Sequence, residues 1–183
     1  MSRKSSFMAF REGDRAGPYD EAPLLLEDID PQIHISRNDR PQPFFLICEK
    51  DNVLVQLSGT GKLHLKNSTR RYFNMKPGDH IYLPARVPHR YIPYEESLQL
   101  RYKAVDPGLE GVEWDCQSCG ALLKRFVWDT SQELPQEGYL RALLSFNQSV
   151  ELRTCGRCGE VHSEIDPSPF RWEKISSALR AGE

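Results

Sequence analysis

Residues 76–89 read KPGDHIYLPARVPH, and this stretch decides the fold. Pro77-Gly78-Asp79 carries turn chemistry, because proline fixes φ and glycine permits φ > 0. Ile81, Tyr82 and Leu83 favour a pleated strand. Pro84 and Pro88 then stop the pairing and present His89 from the strand's end. Turn, short strand and turn in so brief a span belong to a β-rich chain.

The same grain runs outward on both sides. Ile33-His34-Ile35, Phe44 to Ile47, Val53 to Leu57, Leu63 to Leu65 and Leu98 to Ala104 are further candidate strands. Turn residues separate them, at Arg37-Asn38-Asp39, Lys50-Asp51-Asn52 and Ser58-Gly59-Thr60-Gly61, which predicts a barrel or sandwich over residues 24–110. Residues 1–23 are mostly polar and aperiodic, and a loose tail is expected there. The character changes near Glu113. Leu122, Leu123, Phe126 and Val127 suit a strand or a short helix, and Leu140, Leu143 and Leu144 within Gln136–Phe146 suit a helix. In the last part, 164–183, Trp172, Ile175 and Leu179 form one apolar stripe of a terminal helix. The predicted class is mainly β: one small barrel, a metal-binding segment over 111–163, and short helices.

With 183 residues, the chain has the size of one domain or one domain with an appendage. A formal charge of −2 gives no reason to expect nucleic acid or an anionic membrane as partner. No apolar run reaches the roughly 18 residues of a membrane span, and the start lacks the apolar core of a signal peptide. Five cysteines are too few for a secreted disulfide scaffold. A soluble cytoplasmic protein is expected.

Four of the cysteines fall in two CxxCG units, Cys116-Gln-Ser-Cys119-Gly120 and Cys155-Gly-Arg-Cys158-Gly159. In each, a tight turn points both sulfurs at one ion and the glycine lets the backbone close. Four thiolates suit Zn²⁺, or Fe in a rubredoxin-like centre. The alternative is two disulfides or four free thiols, which the absence of secretion signals disfavours. With four protein ligands the centre is closed, hence structural.

The spacing G-x5-P-x4-H, here Gly78, Pro84 and His89, resembles the way a cupin barrel presents a metal-binding histidine. LPARVPH narrows this to the 3-hydroxyanthranilate 3,4-dioxygenase family, which VQLSGTGKLHL, EWDCQSCG and ELRTCGRCGEVH also resemble, in the right order. The resemblance covers about residues 31–163. It implies a cupin, often dimeric, in which two His and one Glu hold a mononuclear Fe(II) that opens 3-hydroxyanthranilate with O₂. Carried over residue by residue, the second histidine falls on His89, the glutamate on Asn52 and the first histidine on Leu46. The substrate-clamping basic residue corresponds to Pro93, the arginine and aspartate before the first histidine to Gln42 and Phe44, and the later acidic residue to Lys103. Most of the iron site is therefore missing, and Fe(II) in the barrel is not expected.

Cys48 occupies the slot of a further metal-motif histidine found in many cupins, and period-2 geometry points it the same way as residue 46. Cys48 and His89 are accordingly expected to face each other across the barrel. As candidate catalytic residues they offer a nucleophile or a two-ligand soft metal site; the alternative is a buried thiol acting as a small hydrophobe. His34, His64 and His80 are expected to face away from the core or into solvent, and His162 to support the second knuckle. Arg70, Arg71, Arg86 and Arg90 form a solvated basic face or an anion-attracting one. The expected function is binding or conversion of a different small aromatic or carboxylic molecule, without the parent ring opening, in a homodimer. The alternative is an active metal-dependent dioxygenase on 3-hydroxyanthranilate or a related aromatic acid.

Overall fold

Two antiparallel sheets close on each other in the computed structural model, which describes residues 3–66 and 71–182. The first sheet has the order β1 (Ala22–Pro23), β2 (Gln32–Asn38), β9 (Ser97–Lys103), β4 (Asn52–Ser58), β7 (His80–Leu83). The second runs β11 (Leu122–Asp129), β10 (Leu109–Asp115), β3 (Phe45–Cys48), β8 (His89–Pro93), β5 (Gly61–Leu65), β6 (Tyr72–Met75). The helices are α1 (Ala9–Gly13), α2 (Pro135–Gln148), α3 (Val150–Arg153) and α4 (Trp172–Arg180). Each expected strand is present. The chain over 122–127 resolves to a strand, and both longer expected helices form. No helix among the described residues is long and apolar enough to cross a membrane.

In the first sheet, β9 is buried on both faces over Ser97–Arg101, for two different reasons. The sheet's outer face carries Ile35, Val55, Leu98 and Leu100, and these pack with Ala16, Leu24 and Ile175. That cover comes from the N-terminal segment and α4, so the apolar stripe expected for α4 lies on the sheet. The inner face of β9 instead carries the alternate polar residues Gln99 and Arg101, paired with Gln56 and Leu54 of β4. Buried amides need partners. A chain of bonds supplies them: Asn38 Nδ2 donates to Gln99 Oε1 at 2.8 Å, Gln99 Nε2 to Gln56 Oε1 at 2.8 Å, and Gln56 Nε2 to the Tyr91 hydroxyl at 3.0 Å. Gly61 is obligatory beside this chain, because a Cβ there would lie 2.2 Å from the Tyr91 hydroxyl.

The expected tail is not loose. Tyr19, Asp20 and Glu21 are buried, and α1 begins the cover. Charged partners far along the chain make this possible: Asp20 pairs with Arg171 and Glu21 with Arg101. Composition alone misjudges such a segment, since its burial is driven by long-range pairing rather than by its own apolar content. The expected boundary at 110/111 also differs from the structure. β10 is hydrogen-bonded to β3, and Trp114, Tyr139, Phe146 and Trp172 share one core with Phe44 and Leu46.

Candidate functional site

His89 opens β8 directly opposite Leu46 of β3, so the two side chains share the inner face of the second sheet. The ring is 1% exposed. Its Nδ1 donates to the Val87 carbonyl at 3.1 Å, which leaves Nε2 as an acceptor. That lone pair receives Arg101 Nη1 at 2.8 Å. The same nitrogen donates to Asn52 Oδ1 at 2.7 Å. Arg101 Nε lies 3.1 Å from both oxygens of Glu21. A guanidinium thus sits where the side chains of residues 52 and 89 converge, with Leu46, which has no donor atom, beside them. Neither Arg101 nor its counter-ion Glu21 is marked by any sequence motif. The period-2 run Ser97, Gln99, Arg101, Lys103 was the available signal, and it reads locally as a solvent face.

Burial, and next the Arg101 charge, push the His89 imidazole down to about 3. Its folded value lies below its ordinary one, so the neutral ring stabilises the fold fully above about pH 6.5. That contribution is lost as the pH falls towards 3, at up to about 1.4 kcal/mol per pH unit. Histidine ¹⁵N NMR should show the Nδ1–H tautomer of His89 unchanged between pH 7.5 and 5. A ring that titrates near 6.5 would contradict this geometry.

Cys48 is buried on β3, opposite Glu110 of β10. Cys48 and His89 do lie on one barrel wall, but on neighbouring strands of a single sheet rather than across the barrel. Arg101 and Lys103 are what face them from the other sheet. Burial and then Glu110 push the Cys48 thiol up to about 12, so it stays protonated at neutral pH. Lys103 and Glu110 form a buried ion pair, and Tyr139 donates to Glu110 Oε2 at 3.3 Å. Gln42 fixes the start of β3 through the Tyr91 backbone, and Phe44 lies in the aromatic core. Pro93 ends β8.

Of the other histidines, His80 is exposed, as expected, whereas His64 is half-buried and stacks on Tyr72. His34 lines a half-open pocket, with its Nδ1 buried and without a partner among the described residues. Arg86 pairs with Glu49, and Arg90 donates to the Gln42 carbonyl. Arg71 is exposed; Arg70 lies outside the described residues.

The four knuckle sulfurs lie within 4.8 Å of one another. Both turns are built alike. Gly120 donates to the Cys116 carbonyl at 2.9 Å and Gly159 to the Cys155 carbonyl at 2.8 Å, with φ of +69° and +76°. Glycine adopts those values without steric cost. Backbone N–H groups of Arg157 and Cys158 lower the Cys155 thiol, while the crowded sulfurs of Cys116, Cys119 and Cys155 push the Cys158 thiol up. This donor set fits a tetrahedral metal ion. His162 accepts from Gln117 Nε2 at 3.2 Å with its other nitrogen on the Ser163 carbonyl, so it ties the two knuckle loops together.

Two closed sheets, an inward histidine at the start of β8 and an appended tetrathiol centre define a cupin with a metal-binding extension. Residues 52–145 match the model of the AraC-like ligand binding domain. Among curated proteins, the chain is 29% identical over 156 residues to 3-hydroxyanthranilate 3,4-dioxygenase of Jannaschia sp. (strain CCS1), covering 81% of this chain and 83% of that one. It is 30% identical over 140 residues to the enzyme of the same name in Brucella anthropi, covering 74% and 71%. It is 32% identical over 128 residues to that of Ruegeria pomeroyi, covering 66% and 67%. The chain belongs to the 3-hydroxyanthranilate 3,4-dioxygenase family. A solved hydroquinone 1,2-dioxygenase from Sphingomonas sp. TTNP3 superposes with a TM-score of 0.45 at 15% identity, over 53% of this chain and 72% of that one.

Proposed function

We propose that this chain is a family member without a barrel iron, which binds or converts a small molecule other than 3-hydroxyanthranilate. The observation that carries the reading is Arg101 Nη1, 2.8 Å from His89 Nε2 and 2.7 Å from Asn52 Oδ1. A permanent cation holds the two polar side chains that an iron would need, and Leu46 supplies no third ligand. These residues do not fit a mononuclear Fe(II) centre, which requires two imidazoles and a carboxylate with open positions. Pro93 in place of a basic clamp, and Lys103 in place of an acid, also remove the expected orientation of the parent substrate.

In this reading the two candidate catalytic residues take unequal parts. His89 is the acceptor that locks Arg101. Cys48 keeps its proton and lines the remaining cavity as a weak donor. The four-cysteine centre binds one structural metal, Zn²⁺ or Fe, and the fold is homodimeric as the family resemblance implies.

The test joins metal analysis with an activity assay. Purified protein should carry about one metal per chain, and supplying Fe(II), O₂ and 3-hydroxyanthranilate should produce no absorbance of the ring-opened product. Iron-dependent turnover, or a second metal lost in His89→Ala, would overturn the reading.

A further inference from the structure

A cavity of about 180 Å³ remains at the end of the barrel beyond Arg101, lined by Cys48, Asn52, Lys103, Glu110, His34 and Gln136 among others. Its apolar wall includes Pro23, Leu134 and Leu179. Most charged side chains of the lining are already matched within the protein. Lys103 pairs with Glu110, Lys50 with Asp106, Arg3 with Glu27 and Glu49 with Arg86, while Asp51 accepts from the Ala85 N–H. A ligand with net charge would enter without a free counter-charge, and burying an unpaired charge is costly.

Two lining groups are left unmatched. Gln136 is 2% exposed, and its Oε1 has no partner. Its orientation is fixed, because Nε2 donates to the carbonyls of Asp20 and Glu21 at 3.0 and 2.8 Å. The oxygen is therefore an acceptor that needs an external N–H or O–H. His34 Nδ1 is the second. Lys103 and Glu110 add a donor and an acceptor side by side.

We infer that this cavity is a binding site for a small, planar molecule of zero net charge that carries a carboxamide-like donor and acceptor pair. Its N–H meets Gln136 Oε1, and its carbonyl meets Lys103 Nζ. This rests on the iron-free reading above, since an occupied metal site would draw an anionic ligand towards the barrel centre instead. The polar ends fix orientation, while the apolar wall supplies the burial that holds a flat ring.

The experiment uses the full, metal-loaded chain and three matched probes: benzamide, benzoate and N,N-dimethylbenzamide. Calorimetry should show benzamide binding at least tenfold more tightly than either of the others, since one adds a charge and the other removes the N–H donors. Amide NMR shifts should cluster at residues 34, 48, 103 and 136. Gln136→Leu, checked for an unchanged melting profile, should weaken benzamide at least fivefold; the dimethyl probe tests the same contact if that variant does not fold. Benzoate binding as tightly as benzamide, no benzamide binding, or shifts centred elsewhere would each overturn the inference. Such results with one metal per chain and no ring opening leave the iron-free reading standing. Iron at His89 removes that reading instead.

Discussion

Replacing Arg101 with methionine is expected to lower stability by about 3–5 kcal/mol, the usual loss when one partner of a buried ion pair is removed. For a chain of this length that corresponds to a fall in Tm of roughly 6–20 °C. Arg101 is 4% exposed and Glu21 7%, so neither partner regains water after the change. Glu21 would keep a buried carboxylate without its guanidinium, and Asn52 Oδ1 and His89 Nε2 would each lose a donor. The loss is thus made mostly of groups left unpaired, which predicts a specific rescue. Arg101→Met combined with Glu21→Gln should be more stable than Arg101→Met alone, with a coupling on the order of 2 kcal/mol. Thermal or urea denaturation of the four proteins measures this. A single variant that melts with the wild type, or strictly additive effects, would mean that Arg101 does not hold the barrel centre.

The second large effect concerns the tetrathiol centre. Cys155→Ser, or removal of the metal by a strong chelator, should take the metal content from about one per chain to zero. Apparent binding energies of structural tetrahedral zinc sites are on the order of 10–16 kcal/mol, so whatever the metal alone organises should come loose. The structure says how far that extends. The first knuckle is the turn between β10 and β11, and the second follows α3 and is closed by a bridge between Thr154 and Val161. Inside them, Trp114 stacks on Phe146 at 4.3 Å, and Phe170 on Trp172 at 4.4 Å, with no metal involved. Limited proteolysis should therefore open residues 116–121 and 154–162 first, while the β signal in far-UV circular dichroism persists. A chelated sample with native melting and an unchanged digest would show the centre to be dispensable. Visible absorbance of the untreated protein separates tetrathiolate iron from colourless zinc.

Much of this molecule was legible locally. The two CxxCG units announce a closed centre because sulfur direction and glycine φ are set within five residues. KPGDHIYLPARVPH announces the barrel because its prolines and glycine fix each turn without help from elsewhere. α4 was readable from Trp172, Ile175 and Leu179, since one apolar stripe needs only the helix period. β8 was missed as a strand: Arg90, Tyr91 and Ile92 do not alternate cleanly, and Tyr91 is buried because Gly61 leaves room for it. The N-terminal segment was misjudged because its burial depends on Arg101 and Arg171, which lie far along the chain.

The family, the barrel and the four-cysteine centre were readable from local sequence, and Leu46, Asn52 and His89 raised the expectation of an incomplete iron site. That Arg101 lies between Asn52 and His89 is visible only in three dimensions. A strand's period of two sends Leu98, Leu100 and Tyr102 to one face and Gln99, Arg101 and Lys103 to the other, but it cannot say which face meets water. Here neither does. The N-terminal segment and α4 cover the apolar face, and the polar face turns inward. Glu21, 80 residues away, supplies the charge that lets Arg101 remain there.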